Sequence, residues 1–216
     1  MSAQNALIIL NGSLTVEHFV KYVDPSTYFK LAVDGGLRYF HQMLIPPDVL
    51  IGDLDSVTDQ DLAWAKQHAT QIFQFSVDKD ESDFQLALNW VAERHFKHVL
   101  VAGGLGGRLD QTLANCFLLL DDRLKEMTVQ FDDGYQEVSL IRDHCMIKGH
   151  PGDTISLLPL QHMVRGVRTH RLKYPLNEED LFMHQARGIS NVMLDTTAEV
   201  EIKDGFLLCI HTRQGG

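Results

Sequence analysis

Up to about residue 131, short unbroken apolar runs alternate with stretches of helical period. The runs lie at residues 6–10, 29–33, 49–51, 72–77 and 98–102, and such continuous apolar segments fit parallel strands buried on both faces. Between them come segments that predict helices. One covers residues 15–22, and a second runs through Leu37, Phe40 and Leu44 until Pro46-Pro47 stops it. A third starts at Ser56 or Thr58 as N-cap and ends near Ala69. A fourth, through Phe84, Leu88 and Val91, has Ser82 or Asp80 placed to cap it, and a fifth runs from Asp110 through Leu113 and Phe117. Strand-helix alternation implies a mostly parallel sheet covered on both faces. Right-handed crossovers then bring the C-terminal ends of the strands to one edge.

Past about Phe131 the helical period fades. Residues 136–141, 145–148, 154–159, 164–168, 189–194, 198–202 and 206–211 read as short strands, with turns at Gly149–Asp153 and Lys203-Asp204-Gly205. Residues 172–176 and the acidic 177–180 read as a connecting loop or helical turn. The expected organisation is an α/β domain over 1–132 and a β-sandwich over 133–216.

What lies at the strand ends gives the first domain its chemistry. The run 49–51 leads directly into Gly52-Asp53-Leu54-Asp55-Ser56, and open α/β sheets keep their ligands at such ends. Two carboxylates held close repel unless a cation or proton intervenes, and a hard ion such as Mg²⁺ suits them. A solvated turn is the plainer reading of Asp-x-Asp alone. Asp34-Gly35-Gly36 closes a second strand. Asp78-Lys79-Asp80-Glu81-Ser82-Asp83 closes a third, with more acids than helix capping requires. Gly103-Gly104-Leu105-Gly106-Gly107-Arg108 closes a fourth, and its glycines let backbone N–H groups form an anion cradle beside an always-charged fork. It matches neither a P-loop nor a dinucleotide fingerprint. Asp34, Asp53, Asp55, Asp78, Asp80, Asp83, Arg108 and Asp110 therefore converge on one rim.

Composition narrows the field. The 216 residues are 44% hydrophobic and 22% charged, ordinary for a soluble globular protein, and a formal charge of −10 argues against nucleic acid or an anionic membrane as partner. Cys116, Cys145 and Cys209 form neither a disulfide framework nor a zinc motif, which fits a reducing cytosol. The eleven histidines are scattered, and no apolar run is long enough to span a bilayer. A cytoplasmic location is expected.

The ordered set Val33-Asp34-Gly35-Gly36, Ile51-Gly52-Asp53-Leu54-Asp55-Ser56, Asp78–Asp83, Gly106–Gln111 with Asn115, Gly152–Leu157, Tyr174-Pro175-Leu176 and Gly188-Ile189-Ser190-Asn191 resembles the thiamine pyrophosphokinase family over nearly the whole chain. Ser82, where the family usually has threonine, and Leu37-Arg38, where smaller residues are frequent, depart from its pattern. The resemblance implies transfer of a pyrophosphoryl group from ATP to thiamine, giving thiamine diphosphate and AMP, in a homodimer with thiamine near the interface. It implies Mg²⁺ ligation by Asp53, Asp55 and Asp83. Asp80, Asp83, Ser190 and Asn191 would lie on the thiamine side. Asp34, Gly35, Lys79, Gly106, Gly107, Arg108 and Gln111 would lie on the nucleotide side. Asp110 or Asp83 would orient or accept the hydroxyl proton. The other readings are a non-catalytic thiamine or nucleotide sensor on the same fold, and a phosphotransferase for another alcohol.

Overall fold

A computed structural model describes residues 5–76, 78 and 80–214. The chain divides into two compact units, residues 1–134 and 135–216.

The first unit is built on β1 (Asn5–Ile9), β2 (Phe29–Val33), β3 (Val49–Gly52), β4 (Gln71–Gln74), β5 (His98–Ala102) and β6 (Thr128–Asp132). Every pairing is parallel, in the order β6-β5-β1-β2-β3-β4. Leu7, Ile8, Ile9, Leu31, Leu50 and Ile51 are fully buried, as strands covered on both faces must be. The helices are α1 (Val16–Phe19), α2 (Leu37–Met43), α3 (Asp59–Gln67), α4 (Asp83–Glu93) and α5 (Leu109–Leu118). One core joins Leu7, Ile9, Ala32 and Leu50 to Phe19, Leu37, Phe40 and Ala65. Each leucine, isoleucine or phenylalanine among them contributes about 1.5–3 kcal/mol by leaving water.

Local chemistry sets the helix ends. The Thr58 hydroxyl accepts the Asp61 N–H (3.1 Å) and the Ser82 hydroxyl accepts the Gln85 N–H (3.2 Å), so Thr58 and Ser82 are the caps of α3 and α4. Leu44 takes a left-handed conformation (φ 57°) just ahead of Pro46-Pro47 and ends α2. The first helix is four residues long, shorter than its sequence pattern predicts.

The second unit packs two antiparallel sheets. β7 (Gln136–Ile141), β9 (Thr154–Pro159), β12 (Asn191–Val192) and β14 (Leu207–Thr212) form one, in the order β12-β9-β14-β7. β8 (His144–Lys148), β10 (Met163–His170), β11 (Asn177–Phe182) and β13 (Thr197–Glu201) form the other, in the order β11-β10-β13-β8. Alternate residues of both, among them Ile155, Leu157, Leu207, Val164, Val167, Ala198 and Val200, share one apolar core, which makes this unit a β-sandwich. Two expectations are corrected here. Residues 177–180 belong to a strand, and the run 189–194 forms a strand only over Asn191–Val192, with an isolated bridge from Met193 to Leu172. β11 is a polar edge strand with register shifts against β10, so it lacks the alternation that marks a half-buried strand.

Candidate active site

In the first sheet the chain leaves β1 toward β2 and leaves β5 toward β6, in opposite directions from neighbouring strands. Such a switch point opens a crevice at the strand C-termini. A cavity of about 590 Å³ lies there, lined by residues that follow β1, β2 and β5 and precede α4 and α5.

Its floor is main chain. The Gly12 N–H donates to the Gly103 carbonyl at 3.0 Å, and a Cβ on Gly12 would lie 2.2 Å from that oxygen. A Cβ on Gly36 would lie 2.1 Å from the Ile9 carbonyl, and one on Gly103, itself at φ 67°, 2.5 Å from the Leu10 carbonyl. Gly106 (φ 76°) and Gly107 (φ 74°) turn the following loop through a conformation natural to glycine. Beyond them Arg108 donates to Asp110, Nε to Oδ1 at 3.2 Å and Nη2 to Oδ2 at 2.6 Å, and Gln111 lines the cavity from α5. This hydrogen bond and the charge it carries hold the Asp110 carboxyl below the ordinary range.

The opposite wall is acidic. Asp34 lines the cavity in a left-handed turn (φ 45°), and its Oδ1 accepts the Leu54 N–H at 3.1 Å. Leu54 is also left-handed (φ 69°), an arrangement costing on the order of 1 kcal/mol, which aims that N–H at Asp34. The Asp53 Oδ1 accepts the Asp55 N–H (3.0 Å), and the Ser56 hydroxyl accepts the Gly35 N–H (2.9 Å). Asp83 begins α4, lines the same cavity and shares a hydrogen bond with Asp34. Burial is the largest influence on the Asp34 carboxyl. The Leu54 N–H opposes it, the charges of Asp83 and Asp53 add to it, and the group is pushed up to about 7.

Asp34, Asp53 and Asp83 therefore come together, and Gly106, Gly107, Arg108 and Gln111 share the cavity with two of them. Asp55 is tied to Asp53 through its N–H but is solvent-exposed, as are Asp80 and Asp110. Lys79 lies outside the described residues. Among the described residues, the trio of histidine, cysteine or acidic side chains whose ligand atoms all lie within 4.8 Å is His144, Glu199 and Glu201, on the second unit's solvent-facing sheet surface. The rim aspartates are spaced more widely. Sequence reasoning passed over Asn11, Gly12, Ser13, Arg38 and Tyr39, which complete the cavity wall. Asn11-Gly12-Ser13 reads as a plain turn, and only its place at the end of β1 marks it as part of the rim.

In the second unit, Asn191 is buried and fully engaged. Its Oδ1 accepts the Tyr174 N–H (2.9 Å) and the Val192 N–H (2.9 Å), and its Nδ2 donates to the Tyr174 carbonyl (2.7 Å). Ser190 is exposed and left-handed (φ 55°), with its N–H on the Ser156 hydroxyl at 3.0 Å. Asn191 thus fixes the Tyr174-Pro175 loop.

Residues 20–131 match the family model for the catalytic domain of thiamin pyrophosphokinase, and residues 143–207 match the model for its vitamin B1 binding domain. The chain is 25% identical over 193 residues to a thiamine pyrophosphokinase of Bacillus subtilis, covering 88% of this chain and 90% of that one. It is 27% identical over 247 residues to thiamine pyrophosphokinase 1 of Oryza sativa, covering 98% and 89%. Its fold superposes on the crystal structure of the Bacillus subtilis thiamine pyrophosphokinase with a TM-score of 0.86, at 23% identity, over 97% of this chain and 99% of that one. The yeast thiamin pyrophosphokinase structure gives 0.82 at 17% identity, over 98% and 87%.

Proposed function

The chain belongs to the thiamin pyrophosphokinase family, and from that premise we propose that ATP donates the pyrophosphoryl group to the hydroxyl of thiamine, giving thiamine diphosphate and AMP. The observation that carries this reading is a single crevice holding both a glycine-built anion cradle and a crowded carboxylate set. The thiamine oxygen bonds to the β-phosphorus, the bond to the α–β bridging oxygen breaks, and AMP leaves. Catalysis of such a transfer is mainly positioning and electrostatic stabilisation.

The backbone N–H groups of Gly106 and Gly107 and the start of α5 hold phosphate oxygens. Arg108 joins them, and its pairing with Asp110 keeps the guanidinium at the rim. Asp110, held acidic by its pairing with Arg108, is a poor acceptor of the hydroxyl proton. Asp53 and Asp83, with Asp34 and Asp55 beside them, fit Mg²⁺. The donors are all hard oxygens whose charges crowd, as suits an ion that keeps several waters and takes phosphate oxygens. Mg²⁺, when bound, neutralises the triphosphate and the charge developing on the leaving AMP.

Gln111 and Lys79 serve the nucleotide side. Asp80, Ser190 and Asn191 serve the thiamine side, Asn191 by fixing the Tyr174 loop. The first unit is the ATP- and Mg²⁺-binding domain, and the second binds thiamine and mediates a cytoplasmic homodimer. Among the described residues no helix is long and apolar enough to cross a membrane. The test is AMP release by purified protein, expected only when thiamine, ATP and Mg²⁺ are all present. Folded protein that gives no AMP with all three overturns the reading.

A further inference from the structure

The cavity contains a cation that the roles above do not use. Arg38, the second residue of α2, lines it and remains solvent-exposed. Its guanidinium stacks on the buried Tyr39 ring, 4.6 Å from the centroid. Nη1 donates to the Asn11 side-chain oxygen. Nη2 donates to the Asn11 carbonyl (2.9 Å), the Gly12 carbonyl (3.3 Å) and the Tyr39 hydroxyl (2.9 Å). The Tyr39 hydroxyl in turn donates to the Gly12 carbonyl at 2.5 Å.

Every one of these partners is neutral. Arg108 has its charge met by Asp110, and the acids Asp34 and Asp83 face one another. Among the described lining residues, Arg38 is thus the cation with no counter-charge. Guanidinium offers five donors, and Nε–H and one Nη1–H have no partner among the described residues. A stacked, pre-oriented guanidinium with spare donors at the mouth of a site is suited to an anion, and phosphate is the anion it fits best.

We propose that Arg38 is a substrate-binding residue that contacts the phosphate chain of the nucleotide from beside the Asn11-Gly12 turn, while its other donors fix that turn. This inference rests on the reading of the cavity as the ATP site. It gives the triphosphate two cationic contacts of different character. Arg108 is a paired charge on the loop after β5, whereas Arg38 is an unpaired charge anchored to main chain after β1.

The test compares wild type, Arg38→Gln and Arg38→Lys in four constants: KM for ATP, KM for thiamine, and the competition constants of tripolyphosphate and adenosine against ATP. Glutamine is expected to raise the ATP and tripolyphosphate constants by at least about tenfold, the worth of a hydrogen bond to a charged group. The thiamine and adenosine constants stay within about twofold. Lysine keeps the charge without the fork and is expected to fall between the two. Equal losses for adenosine and tripolyphosphate, no change in the ATP constant, or no rescue by lysine each overturn the proposal. Should Arg38→Gln not fold, Arg38→Lys decides by the same contrast of tripolyphosphate with adenosine. A wild type that turns over with ATP while the variants match it overturns Arg38 alone. A wild type indifferent to ATP and tripolyphosphate overturns the ATP reading with it.

Discussion

The Asp34 carboxylate occupies the space where a side chain on Gly52 would begin, so that a Cβ there would lie 1.7 Å from Oδ1. Gly52 also sits at φ 149°, a conformation that side-chain-bearing residues rarely adopt. Gly52→Ala therefore displaces Asp34 from the Leu54 N–H and strains the turn carrying Asp53 and Asp55. We expect a loss of about 1–3 kcal/mol in stability and a fall in kcat of at least about a hundredfold. Thermal melts and steady-state kinetics check both.

Asp53→Asn and Asp83→Asn remove charge from a crowded set, so neither destabilises the metal-free fold. Each is expected to lower kcat by at least about 10²–10³-fold. Added Mg²⁺ is expected to raise the melting temperature of wild type and to lose that effect in both variants. A Mg²⁺-dependent shift retained in both removes these residues from the metal site.

Arg108 and Asp110 form an exposed pair, the kind that contributes about 0–1 kcal/mol to stability. Arg108→Ala is thus expected to leave the melting temperature nearly unchanged while raising KM for ATP by about tenfold or more. A large drop in melting temperature would recast Arg108 as structural.

His211 is buried between two acids. Its Nε2 lies 2.8 Å from Asp153 Oδ2 and its Nδ1 3.5 Å from Glu137 Oε2. Burial works against its charge, but the hydrogen bonds and charges of Glu137 and Asp153 prevail, so its pKa is raised above 6.5. Asp153 and Glu137 are likewise opposed by burial, yet both are lowered. Gln214 N–H and His211 are the chief causes for Asp153, and His211 and Arg213 for Glu137. The His211 contribution is complete below about pH 6.5 and is lost as pH rises through its folded value. The carboxylate contributions are complete above about pH 4.5 and are lost as pH falls through their folded values. Stability of the second unit therefore peaks between those limits. His211→Gln leaves the buried Asp153 carboxylate without its cation, while Glu137 keeps Arg213, and is expected to cost about 3 kcal/mol near pH 6 and less at pH 9. Denaturant melts across that range measure it, and a pH-independent loss contradicts it.

Asn191→Ala releases two hydrogen bonds that hold the Tyr174 loop and a third to the neighbouring Val192 N–H. The expected outcome is a loss of about 1–3 kcal/mol and a rise in KM for thiamine, with KM for ATP unchanged. Equal changes in both constants would show that the loop does not serve thiamine alone.

The strands that meet the core were legible in the sequence because burial on both faces leaves a continuous apolar signature. Residues 29–33 and 98–102 were read this way with the bounds they have in the fold, and 136–141 and 154–159, each packed on one face, were read as short strands between turns, also with their bounds. β11 was hidden because an exposed edge strand has no such signature. The rim was legible as a set, since parallel topology alone gathers strand ends. The strand order was not, so the switch point between β1 and β5 could not be foreseen. For that reason Asn11 read only as part of a turn and Arg38 only as a departure from the family pattern, neither as part of the site. Asp34 was assigned to the nucleotide, yet the fold also seats it among the acids, a closeness that depends on left-handed turns at Asp34 and Leu54.

The main-chain part of the cavity lining at Gly12 and Gly103 bears on how this enzyme can be re-engineered. Peptide groups have no side chain to exchange, so that part of the lining is fixed wherever the fold is kept. Altered donor preference must therefore come from the rim, at Arg38, Tyr39 or Gln111. A library confined to those three positions should recover new nucleotide selectivities that randomising the glycines will not.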